Sequence, residues 1–166
     1  MELYLIRHGI AQERDLAITD DDRTLTKIGQ EKTKEVAKRL YNLGLRFDLI
    51  LTSPLVRSHQ TAEIFTQTQL SSQLQVSTDL APNGNIHAWL NWLEQQKYPP
   101  NIKLALIGHQ PNLGAWASML VWGEAKEALI LKKAGIIGLN LPTMRSPIGQ
   151  SQMFLLTSPK FLGVAN

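Results

Sequence analysis

Three short stretches, far apart along the chain, carry residue types that bind and transfer an anion. Arg7-His8-Gly9 follows the apolar run Leu3-Tyr4-Leu5-Ile6, Ser53-Pro54 stands just ahead of Arg57, and Gly108-His109-Gln110-Pro111 follows Leu104-Ala105-Leu106-Ile107. Each apolar run is β-prone and continuous, as expected of a strand buried on both faces. If these strands are parallel, Arg7, His8, Arg57 and His109 converge at their carboxyl ends, the crevice where open α/β sheets bind ligands. Two guanidinium groups and two imidazoles there make an anion pocket, and helix N-termini at Pro54 and Pro111 add partial positive charge.

That set suits phosphoryl transfer through a covalent histidine. A neutral imidazole with one bare nitrogen is a good nucleophile when its other nitrogen is tied to a backbone carbonyl. Nearby guanidinium groups disfavour imidazolium, so Arg7 and Arg57 should keep His8 neutral while gripping a dianion bidentately. The chain has no HExxH, no Asp/Glu/His ligand set and no GxxxxGK[ST] loop, which argues against metal and nucleotide sites.

The elements that must position these residues follow from periodicity. Residues 2–7 read as a buried central strand, and the polar, acidic stretch 10–25, with Asp20-Asp21-Asp22, as a solvated loop rimming the pocket. Thr26 is expected to cap a helix that Gly44 closes, with Ile28, Val36, Ala37, Leu40 and Leu43 on its inner face. Phe47–Leu51 reads as a second strand. It stops at Ser53, expected to cap the next helix, with Pro54 at the first helical position, and that helix runs to about Gln67. Leu74–Val76 is a short edge strand and Asp79–Gly84 a loop. Ile86, Trp89, Leu90 and Leu93 mark a further helix, and Leu113, Trp116, Ala117, Leu120 and Val121 the last one, opened by Pro111. The four tryptophans fall on core or half-buried helix faces, and His59 and His87 on exposed ones. Gly135–Leu141 and Met153–Leu156 pair as a hairpin at the sheet edge. The expected fold is therefore a three-layer α/β/α sandwich, with a mainly parallel central sheet and an antiparallel edge, in one domain spanning 1–166.

Composition bounds the function. The 166 residues carry net charge +3 from 17 Lys and Arg against 14 Asp and Glu, spread along the chain without the clustering of a nucleic-acid binder. No apolar run approaches the ~20 residues of a membrane span. Cys is absent, which excludes disulfides, thiolate catalysis and Cys-ligated zinc. The opening residues lack the basic n-region of a signal peptide, so a cytoplasmic location is expected.

The stretches Leu5-Ile6-Arg7-His8-Gly9, Arg23-Thr24-Leu25-Thr26 with Gly29, Ser53-Pro54 with Arg57 and Gln60-Thr61, and Gly108-His109-Gln110-Pro111 resemble the histidine phosphatase (phosphoglycerate mutase-like) superfamily, in particular its small SixA-type phosphohistidine phosphatases. Leu80-Ala81-Pro82 with Gly84 and Lys133-Ala134-Gly135-Ile136 are weaker echoes. The resemblance implies that His8 is the residue phosphorylated. Arg7, Arg57 and His109 hold the phosphoryl group, with Gly9 and Ser53 lining its site, and no metal or other cofactor is needed. It implies a phosphohistidine-bearing protein as partner (an Hpt-type phosphotransfer domain or a phosphocarrier), inorganic phosphate as product, and neither nucleic acid nor membrane. Larger members insert a lid and a glutamate general acid after the second helix. Here only about a dozen residues separate that helix from Asp79. Asp79 stands near where the acid would fall, with a shorter carboxylate, and serves either as the acid or as a loop or cap residue. A small-phosphoester phosphatase and a non-catalytic phospho-ligand binding module remain the alternatives.

Overall fold

The computed structural model describes residues 1–14, 17, 19–143 and 145–164. Parts of the expected 10–25 loop, of the loop between the last two strands, and of the carboxyl tail lie outside the described residues.

Six strands form one sheet in the order β3-β2-β4-β1-β5-β6. These are β1 (Glu2–Arg7), β2 (Leu49–Thr52), β3 (Leu74–Val76), β4 (Lys103–Gly108), β5 (Ile136–Asn140) and β6 (Gln152–Thr157). β1, β2, β3 and β4 run parallel, while β5 and β6 add an antiparallel edge. Four helices cover the faces: α1 (Lys27–Asn42), α2 (Val56–Gln67), α3 (Ile86–Gln96) and α4 (Asn112–Trp122). The sandwich is α/β/α, as the sequence predicts.

Alternation along the strands divides the core. Leu3 and Leu5 of β1 join Leu104 and Leu106 of β4 beneath Trp89 of α3 and Trp116 of α4. Tyr4 and Ile6 turn the other way, to Val36, Ala37 and Leu40 of α1 and Phe65 of α2. The helix periodicity overreaches at both ends of α1, where Ile28 and Leu43 are exposed. Ile28 lies in the first turn of α1 and Leu43 is the residue that caps its end. Trp122 is likewise exposed, at the last residue of α4.

Thr26 caps α1, its Oγ1 accepting from the Gly29 N–H at 3.0 Å, and Gly44 follows the helix with φ +82°. Ser53 does not cap α2. That helix starts at Val56 with no side-chain cap, so neither Ser53 nor Pro54 is part of it. Phe47 and Asp48 precede β2 rather than belong to it, and a single 3-10 turn, Thr78–Leu80, sits at the head of the expected 79–84 loop.

Candidate active site

Strand register brings the two histidines together. In the β1–β4 pairing Arg7 lies opposite Gly108, so the next residues, His8 and His109, emerge side by side, and the His8 N–H donates to the Gly108 carbonyl at 3.0 Å. Their ring centroids are 5.1 Å apart. The central position of β1 and β4 makes this the switch point of the sheet: α1 leaves β1 toward one edge and β5 lies on the other side.

Arg57, second residue of α2, reaches the same place. Its Nε donates to His8 Nε2 at 3.3 Å. The other ring nitrogen, Nδ1, donates to the Gly9 carbonyl at 2.7 Å, which leaves the Nε2 lone pair toward the site. This is the tautomer the sequence argument requires. The cluster is deeply set, however: His8, Arg57 and His109 are each only 3% exposed. That burial also changes the account of protonation. His8 is pushed down to about 2 first by desolvation, then by the ammonium of Lys133 and the His109 ring, with Arg57 a smaller contributor. Arg7 is not among the causes. His109 is lowered to about 3, again by burial first and then by Arg57.

Motif residues hold this cluster in place. Thr61 Oγ1 accepts from the Gly9 N–H at 3.0 Å and donates to the Arg57 carbonyl at 2.8 Å, and Gln60 Oε1 accepts from the Leu25 N–H at 2.7 Å. One turn of α2 thus ties down both the loop after β1 and the approach to α1. Gly9 is required by space: a Cβ there would lie 2.3 Å from Thr33 Oγ1 and 3.3 Å from the Gly29 carbonyl. Gly29 meets a harder limit, with a Cβ only 2.0 Å from the Ile10 carbonyl oxygen. Freed from capping, Ser53 places its Oγ 2.8 Å from His109 Nε2 while accepting from the Leu55 N–H at 3.3 Å. Ser58 Oγ lies 3.3 Å from the same Nε2, while His109 Nδ1 is buried with no partner among the described residues.

Arg7 sits at the rim with one amino nitrogen, Nη1, donating to the Leu131 carbonyl at 2.9 Å, and its Nε is buried without an acceptor. Asp79, half-buried in the 3-10 turn, makes no hydrogen bond or ion pair among the described residues. The turn packs near the end of β4, where a Cβ on Gly108 would lie 3.2 Å from the Leu80 carbonyl oxygen.

Two functional candidates were not legible in the sequence as such. Asp20, expected to be a solvated rim residue, enters the cluster: its carboxylate takes Arg57 Nη2 at 2.9 Å, Arg23 Nη2 at 2.8 Å and Arg14 Nε at 3.4 Å, and its carbonyl accepts from Arg57 Nη1. The three arginines lower its carboxyl below the usual range against the opposing effect of burial. The Asp-Arg pairing within 20–23 was the available signal. Lys133 is the second, visible beforehand only as part of a weak motif echo. Among the described residues no group of three or more His, Asp or Glu side chains is arranged to hold a metal ion, and no helix is long and apolar enough to cross a membrane. A groove of about 1200 Å³ between α3 and the 141–148 segment lies at the opposite end of the sheet, and none of these site residues lines it.

A buried imidazole whose Nε2 takes only a guanidinium N–H, hemmed by cations whose donors are partly unfilled, has the chemistry to receive an oxyanion. Residues 3–100 match the model of the histidine phosphatase superfamily (branch 1), and the chain belongs to that superfamily. An uncharacterized protein of Picosynechococcus sp. is 50% identical over 163 residues, which are 98% of this chain and 99% of that one. The solved structure of the protein histidine phosphatase SixA complexed with tungstate is similar over 98% of this chain and 99% of its own, with TM-score 0.81 and 25% identity. The alpha-ribazole phosphatase of Shigella flexneri shares the fold over 96% and 97% of the two chains, with TM-score 0.70 and 19% identity. The chain is of the SixA type, with the phosphoglycerate mutase-like fold.

Proposed function

We propose that this protein is a phosphohistidine phosphatase that removes phosphate from a histidine displayed on a partner protein, through a phospho-His8 intermediate. The observation that carries the reading is the state of His8: Nδ1–H fixed to the Gly9 carbonyl, Nε2 bare but for a guanidinium N–H. Beside it, among the described residues, Arg7 Nε is a buried donor without an acceptor and His109 Nδ1 a buried nitrogen without a partner. An oxyanion completes that set. The SixA structure, solved with tungstate, a tetrahedral oxyanion like phosphate, supports it.

In the first step His8 Nε2 forms a bond to phosphorus as the phosphorus–nitrogen bond of the substrate breaks. The leaving imidazole departs neutral, with the proton its other nitrogen already carries. In the second, water attacks phosphorus in line, the bond to Nε2 breaks and inorganic phosphate leaves. Arg7, Arg57 and His109 act by holding the equatorial oxygens, where charge is spread in the transition state, with Gly9 and Ser53 supporting their geometry. No metal or other cofactor takes part in this scheme. We read the chain as one cytoplasmic domain, 1–166, whose partner is a phosphotransfer domain or phosphocarrier.

Asp79 favours a second reading. On the turn beside β4 its carboxyl group, unpaired among the described residues, is placed to give a proton, when in its acid form, to the leaving alkoxide that a small phosphoester produces. The test is alkaline quench after mixing with radiolabelled phosphohistidine protein, because the phosphorus–nitrogen bond survives base. Label should appear on the wild-type protein and be absent from His8→Ala. A non-catalytic binding module would bind the phosphoprotein without label or phosphate release. Turnover of small phosphoesters at a kcat/KM equal to that of the phosphoprotein would remove the substrate preference.

A further inference from the structure

Lys133 lies in the segment that covers His8, and the backbone fixes it there. The Ala134 N–H bonds to both the Arg7 carbonyl at 3.0 Å and the His8 carbonyl at 3.2 Å, with Ala134 held in the left-handed region at φ +54°. Its neighbour Lys132 is exposed, whereas Lys133 is half-buried. The ammonium has no hydrogen bond or ion pair among the described residues. The charged groups facing it are Arg7 from β1, Arg23 and Asp20 from the loop before α1, and Arg57 from α2. It also acts on both imidazoles, His8 and His109. Asp20 is the one anion of this group, and its carboxylate is already engaged by Arg14, Arg23 and Arg57.

A partly desolvated cation set among three guanidinium groups, with no carboxylate of its own among the described residues, is unfavourable in the empty protein. What compensates it is a multiply charged anion at the point those groups share. We infer that Lys133 is a phosphoryl-binding residue, donating its Nζ–H to an oxygen of the group bound beside His8. This rests on the phosphatase reading and extends it: the cup holds one cation that can lose its proton, besides arginines that cannot. In the free protein burial and the arginines lower Lys133 to about 8. A dianion bound against it raises it again. Phosphate should therefore bind more weakly as pH rises above about 8, and binding there should take up a proton.

The experiment is calorimetric titration of the whole protein with inorganic phosphate at pH 7.5 and 9, in buffers of different ionisation enthalpy, alongside kcat/KM on a phosphohistidine protein. For wild type, proton uptake at pH 9 and weaker binding than at pH 7.5 are expected. Lys133→Met should bind phosphate roughly 10- to 100-fold more weakly at pH 7.5, the usual scale of one charge-assisted hydrogen bond. Lys133→Arg should keep most of the affinity and lose the proton uptake. Lys132→Met is the control and should match wild type. If wild type turns over substrate yet Lys133→Met binds phosphate equally well with the same proton uptake, this inference is wrong and the phosphatase reading stands. If wild type neither binds phosphate nor turns over, both fall.

Discussion

Replacing Arg57 with lysine keeps the charge and removes the fork, and so asks whether geometry or charge does the work. The guanidinium spans three partners in one plane: Nε to His8 Nε2 at 3.3 Å, Nη2 to Asp20 Oδ2 at 2.9 Å, and Nη1 to the Asp20 carbonyl. A single ammonium nitrogen cannot reach both His8 and Asp20 from the second residue of α2. Either it stays with Asp20 and leaves the phosphoryl site, or it turns to the site and abandons the loop. Losing one to two charge-assisted bonds in the transition state, each about 1.5–3 kcal/mol, corresponds to roughly 10- to 10⁴-fold in rate. The folded protein suffers less, because Arg23 and Arg14 still engage Asp20. A loss of about 1–2 kcal/mol is expected for the ground state, or roughly 2–8 °C in Tm. The assay is single-turnover dephosphorylation of a phosphohistidine protein, with thermal melting run beside it. If Arg57→Lys retains kcat within about threefold of wild type, planar recognition by this side chain is refuted and only its charge matters.

Other outcomes follow from burial and spacing. His8 and His109 titrate below their ordinary value in the fold, at about 2 and about 3. The unfolded chain therefore binds protons first, so stability is intact above pH ~6.5 and falls as pH drops toward 3, by up to about 1.4 kcal/mol per pH unit for each histidine. Urea melts at stepped pH measure this, and His109→Gln should flatten part of the slope. Gly29→Ala drives a Cβ to 2.0 Å from a backbone oxygen that cannot rotate away, and should cost about 1–3 kcal/mol by denaturant unfolding. Asp79→Asn should leave phosphohistidine hydrolysis within about threefold while lowering alkyl phosphate hydrolysis by ~10² or more, if that carboxylate is an acid for esters. An equal loss on both substrates would assign it to folding or binding.

Sequence legibility tracked how local each cause was. The strand-to-loop junctions at His8 and His109 could be read because a buried parallel strand announces itself, and parallel register then makes the imidazoles neighbours without further information. Gly9 was visible as part of the motif after the first strand, but the need for a glycine there was not: the loop must lie against Thr33 and Gly29 of α1, which no local pattern states. Ser53-Pro54 reads as the start of a helix by propensity. The Ser53 hydroxyl is instead held near His109, and α2 begins at Val56. Tertiary demand overrode the cap, at a position where function and propensity compete.

What stayed hidden is the charge balance, because it is a property of four separate segments. Asp20 and Lys133 look like surface residues beside other charges of their own sign, Asp21 and Lys132. In the fold, each of those neighbours stays exposed while Asp20 and Lys133 turn inward. Asp20 satisfies the outer amino groups of Arg57 and leaves Nε toward His8, so it orients the guanidinium without neutralising the nucleophile. Among the described residues nothing comparable satisfies Arg7 Nε or His109 Nδ1, and Lys133 has no ion pair. On the phosphatase reading proposed above, a cup with its outer cation paired and its inner groups unpaired holds the phosphoryl group against the Nε2 of His8. Disturbing the pairing of Asp20 should therefore change where phosphate sits as well as how tightly. Asp20→Asn would show this as inorganic phosphate that still binds, while the phosphohistidine protein labels His8 slowly. Tight binding with an unchanged labelling rate would mean that Asp20 has no part in the alignment.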